Sequence, residues 1–176
     1  GDSGGLMHDE YSDREVEDGC EVIEWIANQI WCDGSVGMMG KSWGAYNSLQ
    51  VAALNPPSLK AILPVMGTDD RWKEDIHFRN GLMATDNFWW GSIMQLMNAS
   101  PPDPEIVGDR WKEIWLERLN SMDLWTKNWA NHQTNDEMWQ RGSISKNYEG
   151  IKVPVFFISG WGDLFRDTPF RLAEHL

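Results

Sequence analysis

Apolar residues at Val16, Cys20, Ile23, Ile26, Ala27 and Ile30 recur every three or four positions, the period of a helix with one buried face. They predict an amphipathic helix over 16–31, with Asp13 or a neighbour as its cap. Asp33-Gly34 ends it with turn chemistry, and the short, wholly apolar run Val36-Gly37-Met38-Met39 reads as a buried strand. Residues 45–54 suit a second helix, Asn55-Pro56-Pro57 stops it, and 59–66 reads as another buried strand. Strand, helix, strand in that order implies parallel strands joined by a right-handed crossover. From Thr68 to about Gly150 the pattern changes. Stretches 105–120 and 123–141 are helix-like, charged and aromatic, with no comparable strand signal. The β pattern resumes in Val153-Pro154-Val155-Phe156-Phe157-Ile158, where an early proline suits a strand start, and leads into Gly160-Trp161-Gly162-Asp163. Residues 169–176 read as a helix beside the sheet, and 1–15 as a loop. The expected organisation is an α/β core from 1–69 and 151–176, interrupted by a helical insertion over 70–150.

A chain of 176 residues that is 41% hydrophobic is long enough for one domain with a real core. Its 27 acidic against 15 basic residues leave a formal charge of -12, which repels phosphate backbones and anionic headgroups and disfavours nucleic acid and membrane partners. No apolar segment approaches the ~20 residues needed to cross a bilayer. The first residues, Gly1-Asp2-Ser3, carry no initiator methionine, so the chain reads as part of a longer protein. Cys20 and Cys32 flank one helical stretch at about 18 Å, beyond disulfide reach. Neither they nor His8, His77, His132 and His175 show ligand spacing, so no metal or cofactor is expected.

Gly40-Lys41-Ser42-Trp43-Gly44 is a G-x-S-x-G element between a short strand and a helix, the context that gives this otherwise weak pattern its mechanics. The turn holds the serine on a strained backbone, and the flanking glycines relieve crowding against strand and helix. Ser42 is the nucleophile candidate. A serine hydroxyl needs a base to take its proton and an acid to orient that base. In the α/β-hydrolase order the acid follows the serine at the end of a later strand, which Asp163 satisfies. The base should come after the acid. His175 reads better as part of a terminal helix, while His77 and His132 fall in the insertion and His8 in the opening loop. The catalytic histidine is therefore expected beyond residue 176. The Trp43 backbone N–H is one candidate oxyanion donor, and the second is expected from a loop nearer the N-terminus. The serine-protease-like Gly1-Asp2-Ser3-Gly4-Gly5 has no histidine or aspartate ahead of it and reads as loop.

With these motifs together, the chain resembles the CocE/NonD hydrolases, the group of cocaine esterase, α-amino acid ester hydrolases and the Xaa-Pro dipeptidyl-peptidase (S15) catalytic domain. The resemblance runs through nearly the whole chain. It is carried by the opening Gly-Asp-Ser-x-Gly-Leu loop, Val22-Ile23-Glu24-Trp25-Ile26 running to Trp31-Cys32, Gly37 to Gly44, Leu59-Lys60-Ala61-Ile62 and Gly160-Trp161-Gly162-Asp163. It implies a truncated α/β-hydrolase core with an inserted helical cap, Ser42 as acyl-forming nucleophile and Asp163 as triad acid. It also implies a tyrosine oxyanion donor upstream of Gly1, a histidine some tens of residues past Asp163 and a β-sandwich domain past Leu176. The implied partner is a small ester or amide, or a short peptide. Relatives that select a free α-amino group carry carboxylates just after the acid, whereas here Leu164-Phe165-Arg166 follow. Eight of the twelve tryptophans fall in the insertion. Most are expected in its core, with Trp89 and Trp90, and Trp161 beside the acid, as candidate substrate-binding residues. Asp69, Asp70 and Asp75 are expected on the solvated surface. Xaa-Pro peptide hydrolysis, or a non-catalytic binding module on the same fold, are the competing functional readings.

Overall fold

A computed structural model describes residue 2 and residues 4–176. Helix α1 (Asp13–Ala27) starts three residues earlier than its apolar period and stops short of Ile30 and Trp31. Ser12 is the cap, its hydroxyl accepting from Glu15 N–H. The helix stops because Asn28 and Gln29 turn their side-chain amides back onto the carbonyls of Glu24 and Trp25, at 2.7 Å each. Ile30 is left fully exposed, not on a buried face.

Strand β1 (Val36–Lys41) runs two residues further than its apolar core and pairs in parallel with β2 (Leu59–Val65), ending on Lys41 opposite Val65. Helix α2 (Trp43–Leu54) joins them and packs on both strands and on α1. The 151–159 segment, expected as a full strand, meets β2 only through parallel bridges at Val155 and Ile158. Its bonds nonetheless alternate as in a ladder: Ile62 N–H to Pro154 O, Phe156 N–H to Ile62 O, Ile158 N–H to Pro64 O, and Met66 N–H to Ile158 O. The observed order is thus β1, β2, then this third parallel segment.

Apolar burial holds this half together. Val16 and Ile23 of α1, Leu49, Val51 and Ala52 of α2, and Val36, Leu59 and Ile62 of the strands form one cluster, joined by Leu172 of the last helix. Cys20 and Cys32 are both free, half-buried thiols.

Between the two parts of the sheet the chain is mostly helical: α3 (Asp86–Asn98), α4 (Pro104–Val107), α5 (Trp111–Ser121), α6 (Trp125–Asn131) and α7 (Glu137–Gln140). Not foreseen is a two-residue hairpin, β3 (Phe78–Arg79) against β4 (Leu82–Met83). Trp125, Trp129 and Trp139 are buried with Phe78 and Met94, so these tryptophans are core, as expected. Helix α8 (Thr168–His175) closes the chain.

The opening segment is more than a loop. Asp9 takes hydrogen bonds from the Trp129 indole (3.0 Å) and Arg141 (2.7 Å), and Glu10 is wholly buried. Residues 9–11 thereby tie the helical segment to α1.

Candidate active site

Ser42 leaves the end of β1 with φ +53° and ψ -115°, a left-handed backbone that L-residues rarely hold. Its N–H donates toward the carbonyls of Val65 (2.9 Å) and Met66 (3.1 Å) on β2's side, and its own carbonyl receives Ala45 N–H and Tyr46 N–H as α2 begins. These bonds at both ends over-determine the strained residue. The hydroxyl makes no capping bond to α2, and the residue is exposed. The glycines contribute unequally. A Cβ at Gly40 would lie 2.5–2.6 Å from the backbone of Gly44, whereas one at Gly44 would meet nothing within 4 Å. Gly67, which the sequence did not single out, is also required, because a Cβ there would sit 2.6 Å from Ala45 Cβ.

The strand register fixes what shares a rim with Ser42. Lys41 is level with Val65, and Val65 with Ile158. Ser42, Met66 and Ser159 therefore leave the carboxyl ends of three neighbouring parallel segments, and the third carries the Gly160–Asp163 turn. Asp163 is half-buried. Its N–H closes onto Gly160 O (2.9 Å), and its Oδ2 lies 3.0 Å from Ser159 Oγ. Ser159 Oγ is also 3.0 Å from Phe165 O, so this serine braces the turn from inside. Ser159 is a residue sequence reasoning missed, and its place four before the acid was the available signal. Ser42 and Asp163 do not bond each other, being separated by β2.

Among the described residues no histidine bonds either group. His8 pairs with Asp123, His132 with Asp136, His77 with Glu10 and Asn87, and His175 stacks on Tyr148 at 4.4 Å. Of the three candidate substrate tryptophans, only Trp90 reaches the elbow. Its ring meets Trp43 edge-on at 6.3 Å while its N–H goes to Glu10. Trp89 is 59% exposed on α3, and Trp161 is 80% exposed against Phe170. Two clefts, of about 390 and 1000 Å³, lie along the opening segment and α5 and include neither Ser42 nor Asp163.

Beneath the elbow lies a buried ionic cluster. Tyr46, on α2, donates to Asp75 Oδ1 and stacks on Tyr11 at 4.6 Å. Arg71 lies over the Tyr11 ring and pairs with Glu10 and with Asp75. Both ring nitrogens of His77 face oxygens, Nε2 toward Glu10 and Nδ1 toward Asn87 at 2.6 Å each, an arrangement that favours the doubly protonated ring. Burial alone would push Glu10 up and His77 down. The charges of His77 and Arg71 instead hold Glu10 at about 2, and those of Glu10 and Asp75 keep His77 above its ordinary 6.5. With the ring protonated, the two cations Arg71 and His77 balance the two carboxylates. Glu10, Asp75 and His77 bring ligand-type atoms within 4.8 Å of one another, but the Arg71 guanidinium is bonded to both carboxylates and already occupies the place of a cation.

Asp69, Asp70 and Asp75, expected at the surface, are all buried. Asp69 and Glu74 are held by Arg171 (2.6 and 2.9 Å) and Thr168 of α8, and Glu74 also receives Asp167 N–H. Asp70 caps the turn at Trp72 and Lys73. The α8 partners of Asp69 and Glu74 lie 94 to 102 positions away, which no local pattern displays.

A parallel sheet with its connecting helix on one face, and a strained serine between strand and helix, are those of an α/β-hydrolase core. The family model for the X-Pro dipeptidyl-peptidase (S15 family) matches residues 1–176, and the chain belongs to that family. It is similar to the cocaine esterase of Rhodococcus sp. (strain MB1 Bresler), 27% identical over 172 residues, covering 86% of this chain and 30% of that protein. It is also similar to a CocE/NonD family hydrolase of Staphylococcus aureus of known structure, at TM-score 0.72 and 27% identity, covering 97% of this chain and 27% of that one. An aminopeptidase from a marine sediment Thaumarchaeota archaeon shares the fold at TM-score 0.57 and 20% identity, over 92% of this chain and 29% of its own. The chain thus spans less than a third of the length of each.

Proposed function

We propose that this chain carries the nucleophile and the acid of a serine-dependent acyl hydrolysis, acting on an ester or amide. Ser42 Oγ attacks the carbonyl carbon while a histidine takes its proton. The Trp43 N–H receives the developing oxyanion. The bond from the carbonyl carbon to the leaving oxygen or nitrogen breaks, and the histidine protonates the leaving group. Water, deprotonated by the same histidine, then attacks the acyl carbon; its bond to Ser42 Oγ breaks, the carboxylic acid leaves, and the histidine returns the proton to Ser42. Asp163 orients that histidine, which the proposal assigns to a position beyond residue 176, since the four within are engaged elsewhere.

The observation that carries this reading is the exposed Ser42 at φ +53°, on the rim that also carries the Asp163 turn. Backbone strain of this kind persists only where surrounding structure enforces it, and it clusters at functional sites. Treating the full-length protein with a fluorophosphonate probe tests it: Ser42 is labelled, and Ser42→Ala abolishes both labelling and ester turnover. A folded wild-type protein that takes no label would instead be a binding module. The family model's description favours a second substrate, an Xaa-Pro peptide. Turnover of an Xaa-Pro amide against a simple aryl ester separates the two.

A further inference from the structure

Glu15 lies in the first turn of α1, yet its carboxylate serves α2. Oε1 accepts from the Trp43 indole N–H at 2.5 Å and from Asn47 Nδ2 at 2.7 Å. Trp43 and Asn47 stand four apart, so one oxygen grips one face of the first turn of α2. The grip is anchored, since Glu15 N–H is itself held by the Ser12 cap. The indole is also flanked by Tyr11 at 5.1 Å and by Trp90 at 6.3 Å.

Two observations say that this arrangement is more than packing. Glu15 Oε2 and Asn47 Oδ1 are buried without a hydrogen-bond partner, a cost that apolar side chains of the same shape at these positions would not carry. The second concerns the helix start. Ser42 enters α2 with a left-handed backbone and gives no side-chain cap, so at the elbow the first turn is held by backbone bonds to the Ser42 carbonyl from Ala45 and Tyr46, and the side-chain hold on Trp43 comes from Glu15.

We infer that Glu15 is a positioning residue for the oxyanion hole. By holding the Trp43 indole and Asn47 it fixes the first turn of α2, and with it the direction of the Trp43 backbone N–H. This rests on the acyl-hydrolase reading above. An oxyanion donor works only if aimed where charge develops, and loss of one donor costs about 10²–10³ in rate. Loosening its support should cost part of that.

The test is p-nitrophenyl acetate turnover by the full-length protein, with active sites counted by fluorophosphonate titration. Glu15→Ala lowers kcat per titrated serine about tenfold or more with KM unchanged, and Glu15→Gln, which keeps one acceptor oxygen, recovers most of it. Trp43→Phe keeps the ring and the backbone amide but lacks the indole N–H. It shows the same kcat loss, and adding Glu15→Ala to it changes little further. A purely structural role would reduce the number of titratable sites and leave kcat per site intact. That outcome overturns the proposal, as does a loss confined to KM. If Glu15→Ala does not fold, Trp43→Phe decides alone. A wild-type protein that takes no label at Ser42 removes the hydrolase reading and this proposal together. A labelled wild type with unaffected variants removes only the proposal.

Discussion

The two halves of the molecule are held by different physics. Around the sheet, α1, α2, β1 and β2 bury aliphatic side chains in one continuous cluster. Where the helical segment meets that half, an aromatic contact of Trp90 on Trp43 is joined by buried charges: Glu10, Arg71, Asp75 and His77 under the elbow, and Asp69, Glu74 and Arg171 toward α8. Apolar burial tolerates small shifts because it has no direction, whereas buried ions are stable only with every partner in place. The sheet half is therefore a scaffold that degrades gradually, and the ionic contact is a joint that fails when any one member is lost.

The sharpest break in that contrast is Arg71→Ala, which leaves Glu10 and Asp75 buried without their shared cation. It should cost about 3–5 kcal/mol, read as a drop in the urea midpoint of the full-length protein. A loss below about 1 kcal/mol would mean water replaces the guanidinium and the joint is no more exacting than the core. Leu49→Ala, at a side chain 1% exposed in the aliphatic cluster, should cost about 2–5 kcal/mol according to how far the site collapses. Its signature is lower stability with the kcat per titrated serine retained.

The smallest effect is on pH. His77 gains its partners on folding and its folded value is raised, so its contribution is complete below about 6.5 and is lost as pH rises through the folded value. The carboxyl of Glu10 is depressed to about 2, so its contribution is complete above its ordinary 4.5 and is lost as pH falls from there through the folded value. Asp75, Arg71 and Asn87 also face this pair. Stability measured by urea unfolding across pH should thus plateau between roughly 4.5 and 6.5 and decline on both sides. His77→Gln should flatten the alkaline limb, and an unchanged alkaline limb would show that the ring is not charged.

Legibility followed the same division. The sheet half was readable because its signals are local: a 3.6-residue period in α1, an apolar run in β1, a double proline after α2 and glycines around Ser42. Errors there were at the ends, where Asn28 and Gln29 side chains competed for the last carbonyls of α1. The placement of Ser42 followed from the same local signals. The ionic joint was not readable, because Glu10 finds Arg71 at a separation of 61 residues and Asp69 finds Arg171 at 102. An aspartate followed by charged neighbours looks like a solvated face whichever way it folds. A weak signal did exist in 69–78, where four acidic residues, Arg71 and His77 are interleaved with Trp72 and Phe78. Glu15 carried no signal of any kind, since a glutamate in the first turn of a helix is ordinary.

The contact between positions 40 and 44 changes how mutational data from this region should be read. Main chain touches main chain there, so even the smallest side chain at 40 forces the two apart. Scanning substitutions across the motif will consequently show position 40 as intolerant as the serine itself, for reasons of assembly rather than reactivity. Position 44, facing open space, will accept alanine. A screen that ranked these sites by lost turnover alone would assign chemistry to a residue whose whole contribution is to be absent.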